Sequence, residues 1–168
     1  FGLMRLSWLD NVLVALDFAA SSTMDGADVI TPAMLRVHEW LMAYFRADQM
    51  QALPEMYAQG TLFQQKVWAE LLNIPWGSRL TYAELARRVG SAPRAVGGAL
   101  RANPLPILIP CHRVVAAVGL GGYAGSGELG QVRKRWLLEH EAARMPVAGY
   151  WQPAGLEIRS TALSFGAL

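Results

Sequence analysis

One cysteine, Cys111, and three widely separated histidines, His38, His112 and His140, are all the thiol and imidazole ligands that this sequence offers. A single thiol cannot staple the chain to itself, which fits a reducing compartment. No close grouping of cysteine, histidine and carboxylate has metal-ligand spacing, so neither a metal nor a cofactor is expected. Long apolar runs are also missing: "NVLVALDFAA", residues 11–20, falls well short of the ~20 residues a membrane helix needs. Asp10 and Asp17 interrupt the stretch after Arg5, which therefore lacks the form of a signal peptide. A formal net charge of +2 is too small to announce nucleic-acid binding by itself. What is present is a globular composition, 53% hydrophobic and 17% charged, which excludes intrinsic disorder. At 168 residues the chain suffices for one ordinary domain or two small lobes with a real core.

Apolar alternation over residues 3–23 predicts two strands joined near Asp10-Asn11. Thr31-Pro32 supplies an N-cap and a first-turn proline for a helix to about Ala47, with Leu35, Leu41, Met42 and Phe45 on its apolar side. Residues 48–60, with Pro54 and a closing Gly60, read as a linker. Thr61 and Gln64 fit a capping box over "LFQQKVWAELL", whose Phe63, Val67 and Leu71 lie four apart. Pro75 and Gly77 end that segment. Thr81 and Glu84 form a second capping box over "YAELARRV", which Gly90 stops. A further short helix, roughly Pro93 to Ala102, follows Ser91. The two short helices with their glycine-containing turn are a helix-turn-helix candidate, a pattern that many ordinary cores also contain.

The helix "PRAVGGALRA" is unusual, because Gly97 and Gly98 each cost about 1 kcal/mol relative to alanine in a helix interior. Either small residues allow a neighbouring helix to pack closely, or Ala95, Gly97 and Gly98 allow DNA to approach while Arg94 and Arg101 meet phosphates or enter the base stack. Cys111 admits two readings as well. A lone buried thiol usually behaves as a small hydrophobe. In "ILIPCHRVV", however, His112 and Arg113 follow directly, and cations or imidazole favour the reactive thiolate. In an extended segment consecutive side chains point to opposite faces, so a water bridge joins Cys111 to His112 more easily than a direct bond. A carboxylate behind the imidazole would complete a nucleophile, base and orienter.

The combination "RAVGGALRANPLPIL", "IPCHRVV", "GGYAG" and "RKRWLLEHE", spread over Gly60 to Glu141, resembles the O6-alkylguanine-DNA alkyltransferases, which repair alkylated guanine by taking the alkyl group onto a cysteine of their own. The resemblance implies an α/β protein with a small ribonuclease H-like N-terminal lobe (1–58) and a mainly helical lobe (59–147) carrying a helix-turn-helix and the active site. Residues 148–168 then form a C-terminal extension. It implies a monomer, cytoplasmic or nucleoid-associated, or nuclear in a eukaryote. The expected partner is double-stranded DNA containing O6-alkylguanine, with O4-alkylthymine as a second candidate substrate. One alkyl group is moved per protein, and the base is flipped out through the minor groove.

By the same resemblance Cys111 matches the alkyl acceptor and His112 the base acting through a water. Glu141 matches the acid that orients His112, with Glu139 and His140 close by in sequence. Asn103 matches the hinge asparagine between the recognition helix and the cysteine loop. Tyr82 matches the tyrosine that touches the flipped nucleotide, and Arg94 the finger that fills the vacated stack. Ala95, Gly97, Gly98 and Arg101 complete the DNA-facing set; Val114, Gly122, Tyr123, Ala124 and Gly125 match the substrate pocket. Three features depart from the family: a longer passage from Tyr123 to Trp136, Ala124 where some relatives carry serine, and the tail after Met145. Two rival classes use part of the same set. A lesion-sensing DNA-binding module would not need Cys111, and a cysteine hydrolase would not need the glycine-rich helix with its arginine.

Overall fold

The computed structural model describes residues 2–19, 30–48, 52–123 and 128–143. Within them the chain is a mixed α/β protein of five α-helices and two small sheets. Strands β1 (Leu3–Leu9) and β2 (Val12–Ala19) pair antiparallel through a two-residue turn in which Asp10 and Asn11 both have positive φ, 46° and 65°. Short polar side chains tolerate that left-handed conformation, which matches the twist of a hairpin. The expected strand residues 20–23 lie outside the described residues. Leu13 and Leu16 on β2 are fully buried. The backbone of β2 also serves two neighbours: Tyr57 N–H donates to the Leu13 carbonyl at 2.8 Å, and Leu16 N–H donates to the Pro104 carbonyl at 2.8 Å. The segment 52–60 thus adds a bridge to the hairpin (Leu13 to Met56) besides linking two helices.

Helix α1 (Pro32–Arg46) is capped by Thr31, whose side chain accepts from Met34 N–H, and ends at Ala47 in the left-handed region. Its buried stripe is Val37, Trp40, Leu41 and Tyr44, at spacings i, i+3, i+4 and i+7. Leu41 lies there as expected. Leu35 does not: it is 49% exposed, on the side of the helix opposite the stripe. Both capping boxes are formed, Thr61 with Gln64 at the start of α2 (Leu62–Leu72) and Thr81 with Glu84 at the start of α3 (Tyr82–Val89). Gly90, at φ 65°, ends α3. After the turn 90–92, α4 (Pro93–Arg101) begins on its proline, with Ala92 as an N-cap that supplies no side-chain bond.

Helix α4 buries Val96, Ala99 and Leu100, and the Trp68 indole N–H of α2 donates to the Ala99 carbonyl at 2.8 Å. Its other side leaves Arg94, Ala95, Gly98 and Arg101 exposed. A methyl group at Gly98 would meet nothing within 4 Å, and one at Gly97 would only touch the Tyr82 ring at 3.8 Å. Close helix packing therefore does not account for Gly98. Two residues of parallel pairing, β3 (Leu80–Thr81) with β4 (Val114–Val115), lock the entry of α3 against the chain leaving the cysteine loop. Helix α5 (Glu128–Ala143) closes the core with Gly130, Lys134, Leu137, Leu138 and Glu141 on its inner stripe. No helix among the described residues is long and apolar enough to cross a membrane.

Gly60 and Gly98 are expected to respond in opposite directions to alanine. A Cβ at Gly60 would lie 2.5 Å from the buried Trp68 ring, so Gly60→Ala should cost ~1–3 kcal/mol by overpacking. Gly98→Ala should gain about 0.5–1 kcal/mol from helix propensity. Urea midpoints of the two variants check both signs.

Candidate active site

The segment 103–110 is drawn tight by its own backbone and by one side chain. Asn103 Nδ2 donates to the Ile109 carbonyl at 2.9 Å, and its Oδ1 accepts from Leu105 N–H at 3.0 Å. Ile109 N–H closes on Leu105 at 2.8 Å. Within this loop Ile107 is held at φ 77°, a costly conformation for a β-branched residue, and is fully buried. The strain is outweighed by a surrounding shell of apolar contacts. Cys111, His112 and Arg113 then form a 3-10 turn, not the extended run expected, and all three are buried.

Glu141 of α5 is the point on which this turn rests. Its Oε1 accepts from His112 Nε2 at 2.8 Å, from Arg113 Nη2 at 2.9 Å and from the Tyr44 hydroxyl at 2.7 Å. Its Oε2 accepts from Arg113 Nε at 2.9 Å and from Gly77 N–H at 3.2 Å. Gly77 adopts φ 71°, and a side chain there would press on the Glu141 backbone carbonyl at 3.3 Å. The same carbonyl accepts the Trp76 indole N–H at 2.9 Å. Burial pushes the Glu141 carboxyl up, but the hydrogen bonds of His112 and Arg113 and the Arg113 charge outweigh it and hold the group well below the usual carboxylate range.

Burial lowers the His112 pKa, against the upward pull of Glu141, with Arg113 and Lys134 adding to the fall. The lowering prevails because the carboxylate already has a formal counter-ion in Arg113. A neutral imidazole facing a carboxylate must donate from Nε2, so Nδ1 carries the lone pair. Nδ1 is buried and has no hydrogen-bond partner among the described residues. The ring is thus held in the tautomer that can accept a proton, directly or through a water, from a neighbouring thiol.

Burial raises the Cys111 pKa, while a hydrogen bond from Asn103 and the Lys134 charge oppose it. At neutral pH the thiol keeps its proton until a base takes it. Arg113, expected to act as a cation beside the thiol, instead points to Glu141 and donates from Nη1 to the Ile74 carbonyl at 2.7 Å. The cation near the thiol is Lys134. It is fully buried, its Nζ donating to the Val114 carbonyl at 2.6 Å and the Gly122 carbonyl at 2.8 Å, and burial lowers its pKa to about 8. Sequence reasoning missed it, although Lys134 falls on the apolar stripe of α5 with Gly130, Leu137, Leu138 and Glu141, where an unpaired lysine is out of place.

The other candidates gather around the same turn. Tyr82 opens α3 against Gly121, where a Cβ would lie 2.9 Å from its ring. Burial and the nearby Cys111 raise its pKa against the opposing pull of a Gly122 backbone hydrogen bond and the Arg101 charge, so Tyr82 is a protonated donor at neutral pH. Tyr123 stands edge-on to His112, ring centroids 6.3 Å apart, with its buried hydroxyl unpartnered among the described residues. Val114 is buried beside them. Ala124 and Gly125 lie outside the described residues. Arg94, Ala95, Gly98 and Arg101 form a separate exposed face on α4. His140, the alternative to Glu141, faces away from His112: its Nε2 bonds the Tyr44 carbonyl at 2.8 Å and its ring stacks on Trp136. Among the described residues no group of three or more His, Cys, Asp or Glu could hold a metal ion.

Glu141→Gln should leave Arg113 buried without its charge partner and cost about 3–5 kcal/mol. Because the Glu141 carboxyl is held low in the folded state, its contribution is present above the unfolded carboxylate pKa and is lost as pH falls toward the folded value. Chemical denaturation across acid pH should therefore show a shallower acid loss for the glutamine variant than for the parent.

A family model described as the DNA-binding domain of 6-O-methylguanine DNA methyltransferase matches residues 62–143. The methylated-DNA–protein-cysteine methyltransferase of Mus musculus is 39% identical over 133 residues, 73% of this chain and 62% of that protein. The chain thus spans less than two thirds of that relative's length. The human protein of the same name is 36% identical over 156 residues, 81% of this chain and 72% of that protein. A crystal structure of Mycobacterium tuberculosis OGT in complex with DNA superimposes with a TM-score of 0.71 at 38% identity, covering 85% of this chain and 88% of that one. With that coverage, and with Cys111, His112 and Glu141 brought together by the fold, the chain belongs to the O6-alkylguanine-DNA alkyltransferases, the methylated-DNA–protein-cysteine methyltransferase family.

Proposed function

We propose that this protein is a methylated-DNA–protein-cysteine methyltransferase that repairs O6-alkylguanine in double-stranded DNA by moving the alkyl group to Cys111. The observation that carries the reading is the buried His112–Glu141 pair beside the thiol, with Nδ1 of His112 left as the acceptor. His112 takes the thiol proton, through a water, as an alkylated base enters. The thiolate attacks the alkyl carbon in line, the carbon–O6 bond breaks, and its electron pair passes into the guanine ring. Tyr82 donates a proton or hydrogen bond to the departing base. Lys134 stabilises the thiolate formed during attack. The product thioether is not hydrolysed at neutral pH, so the protein acts once. No cofactor enters the reaction. O4-alkylthymine presents the same oxygen-bound alkyl carbon and is a second substrate to test.

Asn103 sets the cysteine loop through its bonds to Ile109 and Leu105. Val114, Gly122 and Tyr123 line the base pocket. The α3–α4 pair serves as the helix-turn-helix. Its exposed α4 face, with small residues at Ala95, Gly97 and Gly98, meets the minor groove, and Arg101 contacts phosphate. Arg94 enters the stack in place of the flipped base, since its planar guanidinium can stack where unstacking otherwise costs a few kcal/mol. The N-terminal residues 1–58 form a ribonuclease H-like lobe that supports this helical lobe, and the protein works as a monomer.

Two measurements test the reading. Incubation with a duplex containing O6-methylguanine should raise the intact mass by one methyl group, 1:1 with lesions repaired. Cys111→Ala should bind the duplex and gain nothing; turnover beyond one lesion per protein would sink the single-use mechanism. Arg94→Ala should slow repair strongly in duplex DNA and far less with free O6-methylguanine. Equal losses on the two substrates would return Arg94 to the ordinary phosphate contacts.

A further inference from the structure

Tyr44 is the one member of the Glu141 network that comes from the N-terminal helix, and the mechanism above does not use it. The side chain is 1% exposed and is wedged among Trp40, Phe45, Trp76 and His140, with ring centroids 5.0–5.7 Å away. Helix α5 holds it at both ends. His140 Nε2 bonds its backbone carbonyl at 2.8 Å, and Glu141 Oε1 accepts its hydroxyl at 2.7 Å. Because an ionised carboxylate can only accept, the phenol must be the donor. Its hydroxyl also lies 3.4 Å from His112 Nε2, so it sits beside the bond that orients the base.

Three donors therefore converge on Oε1: Tyr44, His112 and Arg113. Each draws electron density from the oxygen on which the His112 Nε2–H depends. An oxygen shared in this way is a weaker acceptor, and it stabilises an imidazolium less than an unshared one. The other charged or titratable groups facing His112 are Lys134 and Glu141 on α5, Arg113 and Cys111 in its own turn, and Tyr123 across the ring edge. Of these only Arg113 bonds to the same carboxylate as His112, and Tyr44 joins it there. Arg113 neutralises the carboxylate; Tyr44 adds no charge and changes only how Oε1 is shared.

We propose that Tyr44 is a positioning residue for alkyl transfer, whose hydroxyl bond to Glu141 Oε1 lowers the proton affinity of His112 and keeps the imidazole neutral and ready as the base. The proposal rests on the alkyl-transfer reading for its consequence in rate, but its physical content lies in the strength of the His112–Glu141 bond. Helix α1 thereby contributes a side chain to the reacting network in addition to packing surface. With the hydroxyl removed, Oε1 binds the Nε2–H more strongly and His112 holds a proton to higher pH. With a stronger donor at the same place, both effects reverse.

The test uses the full chain with two replacements at position 44, phenylalanine and 3-fluorotyrosine, the latter nearly isosteric and a stronger hydroxyl donor. Nitrogen-labelled histidine reports the His112 Nε2–H proton at neutral pH, assigned against His112→Gln. Tyr44→Phe should move that resonance downfield, and 3-fluorotyrosine should move it upfield. The acid limb of single-turnover methyl transfer should shift up by about half a pH unit in the first and down in the second, roughly threefold in rate at a fixed pH on the limb. A purely structural Tyr44 would lower the melting temperature and leave resonance and limb in place, or move both replacements in the same sense; either result overturns the proposal. If the parent transfers no methyl group, the alkyl-transfer reading fails, while the Nε2–H resonance still decides the role of Tyr44.

Discussion

The arrangement of the site depends on a carboxylate that the fold keeps ionised out of water. Glu141 is 1% exposed, which by itself would favour the neutral acid, yet five hydrogen bonds from His112, Arg113, Tyr44 and Gly77 hold its charge. Those donors come from three places in the chain, helix α1, the turn after α2 and the cysteine turn, and they converge on a carboxylate carried by α5. A buried charge with so many partners is costly to assemble and more costly to break. It therefore fixes the distance between segments that the apolar core alone would let slide, and the histidine tautomer follows from it.

The thiol beside this network is kept in reserve. Burial raises its proton affinity, and the cation at hand, Lys134, is itself desolvated and has its pKa lowered to about 8. A permanently ionised thiol would be exposed to any electrophile or oxidant. A protonated thiol paired with a neutral base reacts only when a substrate is held against both. The tight loop that presents it, with Asn103 tied to Ile109 and Ile107 in a strained conformation, is rigid in the way such positioning requires.

On the proposed reading, helix α4 lets a protein with a small net charge approach a polyanion. One side of the helix is fixed to α2 by the Trp68–Ala99 bond and to the core by Val96 and Leu100. The opposite side carries two exposed arginines around residues without bulk. Gly98 has open space around it, so its lack of a side chain serves nothing inside the protein. On the proposed reading the local arrangement of charge and the absence of bulk, more than the overall charge, set the DNA-facing surface.

Local signals in the sequence were enough for the elements whose determinants are themselves local. Both capping boxes, the proline at the start of α1, the Gly90 stop and the Asp10-Asn11 turn lie within four residues of what they control, and each forms as expected. The family motifs likewise marked Cys111, His112 and Glu141 as a set. Tertiary structure decided what depends on direction and distance. It put Leu35 off the buried face of α1 because the stripe follows Val37, Trp40, Leu41 and Tyr44. It turned Arg113 from the thiol to the carboxylate, made Lys134 the nearby cation, and brought Tyr44 to a residue 97 positions away. Propensities and caps act through neighbouring backbone groups and can be read in order along the chain. The partner of a buried charge is whichever group the packed core delivers to it, and only the folded chain determines that.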